Sequence, residues 1–141
     1  MTMILIDSDI VLDIFLEQDP FCTNSLKVFL KVEQGYCDAW ISATAVANIY
    51  YKTRKLLGRK TAIDGIKRLL ETDGMRVLGI DGHAIREALY SEMNDFEDAI
   101  QASAANFERI DYIVTRNLKD YKNSKVPALS PDKLLELLNK T

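Results

Sequence analysis

Short apolar runs alternate along the chain with longer segments whose apolar residues recur at helical spacing. This alternation constrains the fold more than any other feature of the sequence. Five runs predict strands, at residues 3–6, 39–42, 76–78, 112–115 and 127–129. Seven segments predict helices, at residues 10–17, 26–32, 43–57, 61–71, 81–91, 96–107 and 131–139. The pattern is typical of a three-layer α/β domain, with a mainly parallel sheet of about five strands and helices on both faces.

The length of 141 residues suits one domain spanning residues 1–141, and the chain contains no linker or internal repeat. Hydrophobic residues make up 48% and charged residues 28%, which excludes a disordered chain. Its apolar runs are too short to cross a membrane and it begins without a signal peptide, so we expect a cytoplasmic protein with no membrane partner. The two cysteines, Cys22 and Cys37, are then expected to be reduced, buried thiols.

Polar residues follow the first and the fourth predicted strands. Parallel sheets place their functional sites at the carboxyl ends of strands, so these residues are candidates for one site. The residues concerned are Asp7, Ser8, Asp9, Thr115, Arg116, Asn117 and Asp120.

Two further acids, Asp95 and Asp98, open the alanine-rich helix predicted at residues 96–107. They stand at positions i and i+3 and therefore share one face near a helix N-terminus, which stabilises carboxylates. Small alanine side chains let this helix lie close to the sheet, so we expect Asp98 to reach the pocket beside Asp7. A purely structural role as a helix cap is the alternative, for Asp95 above all.

The types of side chain available restrict the metal that such a cluster can bind. One histidine, His83, and two cysteines nearly exclude a zinc site built from nitrogen and sulfur ligands. Clustered carboxylates repel one another unless a cation lies between them, and Mg²⁺ and Mn²⁺ prefer oxygen ligands. Such a cation can orient a water molecule and neutralise the charge of a phosphodiester. The acids therefore predict a Mg²⁺ or Mn²⁺ site that hydrolyses phosphodiesters.

Charge is distributed unevenly, although the formal net charge is only −3. Residues 1–26 contain five acids and no Lys or Arg, whereas residues 52–68 contain seven Lys or Arg residues against Asp64 alone. A basic strip beside an acidic pocket suits an enzyme that holds phosphates at one place and a cation at another. The alternative is a solvated helix face of mixed charge.

Residues 4–13, 41–51, 95–104 and 113–121 form four motifs that, in this order, resemble those of the PIN domain family. Residues 126–131 also resemble the final strand and helix of that family, so the resemblance covers nearly the whole chain. PIN domains are metal-dependent ribonucleases, and the bacterial members include the VapC-type toxins of toxin–antitoxin pairs. The resemblance implies an endoribonuclease that uses Mg²⁺ or Mn²⁺ and a metal-activated water to hydrolyse RNA.

The same resemblance implies roles for individual residues. The implied catalytic acids are Asp7, Asp98 and Asp120, and Asp95 joins them as an implied metal ligand. The implied supporting residues are Ser8, Asp9, Asn48, Thr115 and Asn117. The implied contacts to RNA phosphates are Lys52, Arg54, Lys55 and Arg116.

Two positions depart from the usual motifs. Asn48 stands where the second motif usually has Glu, and Asn117 stands where the fourth motif usually has an acid. The chain therefore resembles a branch of the family that has Asn at both positions. Each Asn removes one negative charge and should lower the affinity for metal. A catalytically weak or inactive PIN-like module that binds RNA or protein is therefore an alternative function.

A second alternative is a haloacid-dehalogenase-like phosphatase. Residues 7–11 match the Asp-x-Asp-x-Thr/Val opening of that family, in which Asp7 would be the nucleophile and Asp9 the general acid. The acids at residues 95 and 98 have no comparable role there.

The resemblance also implies protein partners. A small antitoxin would bind near the site and insert Arg or Lys among the carboxylates, and a homodimer would form through helices. The apolar residues that could form such a dimer face, or equally the core, are Ile49, Leu56, Ile63, Ile66, Leu69 and Leu70.

Overall fold

A sheet of five parallel strands lies at the centre of the computed structural model, which describes residues 1–140. The order of the strands is β3-β2-β1-β4-β5. The strands are β1 (Thr2–Ile6), β2 (Cys37–Ser42), β3 (Met75–Leu78), β4 (Tyr112–Val114) and β5 (Ala128–Leu129). Thr141, the last residue of the predicted domain, lies outside the described residues.

Seven α-helices and one 3-10 turn connect these strands within residues 1–140. The helices are α1 (Ser8–Phe15), α2 (Phe21–Glu33), α3 (Ala43–Leu57), α4 (Arg59–Glu71), α5 (Gly82–Leu89), α6 (Phe96–Phe107) and α7 (Pro131–Asn139), and the 3-10 turn is Leu118–Tyr121. The predicted α/β class and the predicted parallel sheet with helices on both faces are therefore confirmed.

The predicted bounds need one clear correction, at α2. This helix begins at Phe21, directly after Pro20, whereas the apolar residues that predict it from sequence begin only at Leu26. Its buried face includes Ser25 as well as Val28 and Val32, while Leu26 is 45% exposed. The apolar pattern missed the first turn because a buried serine and an exposed leucine blur the helical periodicity.

Alternate residues of each strand point to opposite faces of the sheet. Ile4 and Ile6 of β1 pack in a cluster with residues of α1, α2, α3, α4 and α7. Leu5, between them, packs on the other side with residues of α5 and α6. Helix α6 contributes three buried alanines to that cluster, and the short side chains bring its backbone close to the sheet, as the sequence predicts.

The strand order reverses next to β1, and an open α/β sheet forms a crevice at such a point. From β1 the chain proceeds to β2 and β3 on one side, and it then crosses to β4 and β5 on the other side. The point where the strand order reverses in this way is where α/β sheets bind their ligands. The carboxyl ends of β1 and β4, which are hydrogen-bonded neighbours, meet at this point.

The helix caps hold the ends of these elements in place. Side chains accept hydrogen bonds from the first helical turn at Asp7, Ser42, Asp81, Asp95 and Ser130. Asp7 and Ser42 directly follow or end a strand, so the same residues complete the sheet and begin the next helix.

The apolar face proposed for a dimer is divided between core and surface. Ile49 and Leu69 are buried, whereas Leu56 and Leu70 are 63% and 43% exposed. Cys22 and Cys37 are free thiols, but only Cys37 is buried and Cys22 is partly exposed. None of the helices formed by residues 1–140 combines the length and the hydrophobicity of a bilayer-spanning segment.

Candidate active site

Asp7 lies at the centre of the crevice, at the end of β1. Its carboxylate is 7% exposed, and both oxygens accept hydrogen bonds. Oδ1 accepts from the Ser8 backbone N–H at 2.8 Å and from Gln101 Nε2 at 3.2 Å. Oδ2 accepts from the Thr115 hydroxyl at 2.8 Å. The Thr115 bond joins the end of β1 to the end of β4, which brings the two predicted groups of site residues together.

Asp9 lies beside Asp7, in the first turn of α1. Its Oδ2 accepts from the Arg116 backbone N–H at 2.9 Å and more distantly from the Thr115 hydroxyl at 3.4 Å. Its Oδ1 is buried and has no hydrogen-bond partner among residues 1–140. Burial, followed by the negative charge of Asp7, raises the pKa of Asp9 to about 6.

Asp98 approaches the site from the first turn of α6. The Tyr121 hydroxyl donates to its Oδ1 at 3.0 Å. Burial and the charges of Asp7 and Asp95 raise the pKa of Asp98 to about 7. Asp98 therefore faces the same pocket as Asp7, as the sequence predicts, but hydrogen-bond donors stand between the two carboxylates.

Two residues of this network, Gln101 and Tyr121, were not predicted to belong to the site. Gln101 donates from Nε2 to Asp7 and also to the Tyr121 hydroxyl at 2.7 Å, while its Oε1 accepts from Ser42 at 2.5 Å. Burial and the nearby carboxylates raise the pKa of Tyr121, so its hydroxyl remains a donor at neutral pH. A signal existed for Gln101, because it is a polar residue in an alanine-rich stretch and follows Asp98 by three positions. The sequence offered no such signal for Tyr121.

The predicted site residues outside this core have local partners. Asp95 caps α6 by accepting from the Asp98 backbone N–H at 2.9 Å, which is the structural alternative considered for it. Asn48 donates from Nδ2 to the Ser8 hydroxyl at 3.1 Å, and the Asn117 backbone N–H donates to the Thr115 hydroxyl at 3.0 Å. Asp120 lies exposed on the 3-10 turn and acts on Asp98 only weakly, through its charge.

Arg116 is already paired inside the molecule. Its guanidinium donates to both carboxylate oxygens of Asp13, at 2.7 and 2.8 Å, and lies over the Phe21 ring at 3.9 Å. Asp13 is fully buried, so this pair neutralises a charge in the core. A structural role therefore fits Arg116 better than the phosphate contact predicted from sequence.

The basic residues predicted on α3 remain on the surface. Lys52, Arg54 and Lys55 are all exposed. Burial and the charges of Asp95 and Asp7 raise the pKa of Glu97, and the positive charge of Lys52 lowers it. Because Lys52 acts on this acid of α6, it lies on the side of α3 that faces the site. Glu97 is a further acid at the mouth of the site that the sequence did not single out.

The donor set suits a hard cation. Among residues 1–140, no three Asp, Glu, His or Cys side chains stand close enough together to share one metal ion directly. Mg²⁺, however, keeps several of its waters and needs only one or two protein carboxylates. The unpaired, buried Oδ1 of Asp9 is an oxygen ligand without a partner, and Asp7 lies next to it. The residues of the site therefore fit a partly hydrated divalent cation.

Comparison with known proteins decides the family. The family model described as "PIN domain" matches residues 3–119, which is most of the chain. The chain belongs to the PIN domain family. A sequence search of curated proteins gives no match. Membership of the PIN family does not support the phosphatase alternative.

Solved structures similar to this PIN domain come from toxin–antitoxin pairs. VapBC2 from Rickettsia felis, bound to a DNA fragment from its promoter, matches with a TM-score of 0.73 and 12% identity, covering 92% of this chain and 98% of the other. FitAcB from Neisseria gonorrhoeae matches with a TM-score of 0.69 and 18% identity, covering 92% and 98%. VapC20 from Mycobacterium tuberculosis, described as a sarcin–ricin loop cleaving toxin, matches with a TM-score of 0.64 and 13% identity, covering 78% and 86%.

We expect the metal-free PIN domain to lose stability as the pH rises from about 4 to about 7. The folded state keeps protons on Asp9 and Asp98 at pH values where the unfolded chain, with carboxyl pKa values near 3.8, has released them. Urea unfolding in the presence of a chelator at pH 5, 6, 7 and 8 measures this dependence. The Asp98→Asn variant should flatten it, and an equal pH dependence in both proteins would contradict the assignment.

Removal of the Arg116 side chain should destabilise the fold without removing the carboxylate pocket. We expect Arg116→Ala to lower the free energy of unfolding by about 3 kcal/mol, because it leaves the buried Asp13 carboxylate unpaired. Adding Asp13→Asn to that variant should restore part of the loss, since the buried charge then disappears. Urea unfolding measures both effects, and the exposed Lys119→Ala variant serves as the control. A loss below about 0.5 kcal/mol would mean that the pair does not support the fold.

Proposed function

We propose that this chain is an endoribonuclease that depends on Mg²⁺ or Mn²⁺ and is the toxin component of a toxin–antitoxin pair. The observation that carries the proposal is the buried and unpaired Oδ1 of Asp9, which lies beside the buried carboxylate of Asp7 at the sheet crevice. A cation is the partner that such an oxygen lacks, because an unpaired buried polar atom otherwise destabilises the fold.

The acids around the crevice have different roles in this proposal. Asp7 and Asp98 bind the cation directly, and Asp9 supports it through Oδ1. Asp120 and Asp95 act at longer range, through water and through their charges. A divalent cation held by these acids would lower the pKa of a water molecule and neutralise charge on the phosphodiester.

The remaining residues of the site orient these acids and hold the substrate. Thr115 donates to Asp7 and thereby fixes one of its oxygens. Ser8 and Asn48 are hydrogen-bonded to each other and close the side of the pocket next to α3. Asn117 supports Thr115 through its backbone N–H. Lys52, Arg54 and Lys55 provide cations on α3 that can hold RNA phosphates on the Lys52 side of the pocket.

The comparisons support the choice of RNA and of a protein partner. VapC20 is described as a toxin that cleaves the sarcin–ricin loop, and a matched structure from Klebsiella pneumoniae is described as a toxin–antitoxin complex. We therefore propose a structured RNA as substrate and a small antitoxin as inhibitor, with Arg or Lys of the antitoxin placed among the carboxylates. We also propose that the protein acts in the cytoplasm as a homodimer.

A second function is an RNA-binding or protein-binding PIN module without catalysis. It is favoured by Asn48 and Asn117, which stand where acids are usual in the motifs. In this alternative the amide of Asn48 serves only to fix Ser8, at 3.1 Å. Metal binding distinguishes the two functions.

The nuclease proposal predicts that the wild-type protein binds Mn²⁺ in a calorimetric titration. Asp98→Asn should weaken this binding by more than about 100-fold, because loss of even a residue that supports a metal ligand lowers metal affinity by about 10–100-fold. Cleavage of structured RNA should fall in parallel. Asp64→Asn, which removes an exposed acid of α4 away from the site, is the matched control and should bind Mn²⁺ as the wild type does. Absence of Mn²⁺ binding by the wild type at millimolar concentration would refute the nuclease and favour the binding module.

The substitution Asn48→Glu should strengthen metal binding. It adds a carboxylate beside Ser8, close to Asp7. One further negative charge near a cation contributes about 1.4 kcal/mol to the free energy of binding, which raises the affinity about tenfold. Mn²⁺ titration of this variant and of Asn48→Gln separates the charge from the size of the side chain. If the glutamate and glutamine variants bind Mn²⁺ equally well, Asn48 lies outside the reach of the cation.

A further inference from the structure

Gln101 is a buried amide in the hydrogen-bond network of the candidate site. It is 3% exposed and lies on α6, one turn after Asp98. Its amide makes three hydrogen bonds, two as a donor from Nε2 and one as an acceptor at Oε1. A buried amide is costly unless it is satisfied in this way, and nothing in the proposed roles above uses it.

Asp7 and Ser42 together determine which way the Gln101 amide points. The Ser42 hydroxyl donates to Oε1 and also accepts from the Ala45 backbone N–H at 3.1 Å, as the cap of α3. Because the carboxylate of Asp7 can only accept, the NH₂ group of the amide faces Asp7, and the amide oxygen is left to accept from Ser42. The amide can then donate to two acceptors at once.

Those two acceptors lie on the path between Asp7 and Asp98. One proton of Nε2 points to Asp7 Oδ1, and the other points to the Tyr121 hydroxyl, which in turn donates to Asp98 Oδ1. Tyr121 is 3% exposed and its ring packs in the cluster with α6, so the hydroxyl has a fixed position. The two carboxylates are thus joined by a continuous chain of neutral hydrogen-bond donors.

We propose that Gln101 and Tyr121 are positioning residues that hold Asp7 and Asp98 at the separation at which one divalent cation is bound between them. The proposal rests on the proposed metal-dependent function. Each of the two residues occupies one lone pair of a carboxylate, which prevents the acids from swinging apart under their mutual repulsion. Partners of this kind behind metal ligands fix the orientation of the ligand and tune its affinity.

The chemistry of the bridge explains why it needs an amide and a phenol. A glutamate at position 101 could accept from Ser42 and from Tyr121, but it could not donate to Asp7, and it would add a third charge. A methionine would fill the same volume without any donor. A phenylalanine at position 121 would preserve the packing and remove only the hydroxyl that reaches Asp98.

The test compares Tyr121→Phe, Gln101→Glu and Gln101→Met with the wild type and with Tyr112→Phe. Tyr112 is a partly buried tyrosine of β4 that packs on the opposite side of the sheet, and it is the matched control. Calorimetric titration with Mn²⁺ gives the dissociation constant of the folded protein, and thermal unfolding without metal gives its stability. RNA cleavage is measured at several Mn²⁺ concentrations.

We expect the dissociation constant for Mn²⁺ to rise about 10–100-fold in Tyr121→Phe and Gln101→Met, while Tyr112→Phe binds as the wild type does. Saturating Mn²⁺ should restore part of the cleavage rate in Tyr121→Phe, with the KM for RNA unchanged. Wild-type affinity in folded Tyr121→Phe and Gln101→Met would overturn the positioning role and leave the proposed nuclease intact. Absence of Mn²⁺ binding by the wild type would overturn both.

Discussion

The hydrogen bond between the Thr115 hydroxyl and the Asp7 carboxylate, at 2.8 Å, is the contact on which the rest of the site depends. It joins the ends of β1 and β4 at the point where the strand order reverses. Asp7 is buried and is held on its other oxygen by the Ser8 backbone and by Gln101. Strand pairing therefore sets the position of the first carboxylate, and every other acid in the crevice is placed with respect to it.

Electrostatic repulsion shapes the surroundings of that contact. Burial is the main cause of the raised pKa values of Asp9 and Asp98, and repulsion from the neighbouring carboxylate of Asp7 adds to it. Neutral donors from Thr115, Gln101 and Tyr121 stabilise the arrangement without cancelling its charge. The guanidinium of Arg116 donates its hydrogen bonds to Asp13, and its charge only partly offsets the rise in the pKa of Asp9.

The sequence predicted the parts of this site that follow from the order of the elements. Asp7 and Thr115 could be placed together because parallel strands end at one edge of a sheet, and Asp98 because an alanine-rich helix packs closely. Gln101 and Tyr121 could not, because their roles arise from side-chain directions that only the packed core determines. Arg116 was interpreted as a surface cation because the burial of Asp13, its partner, is a tertiary property.

The residues that meet at Asp7 are far apart along the chain. Gln101 and Thr115 follow Asp7 by 94 and 108 positions, and the sheet must bring them together. During synthesis from the amino terminus, the first three strands and the first five helices have been added before Asp98, Gln101, Thr115 and Tyr121 exist. The chain emerging from the ribosome therefore has no assembled carboxylate site until Tyr121 has been added. The order in which the strands are translated makes this site one of the last parts of the molecule that can form.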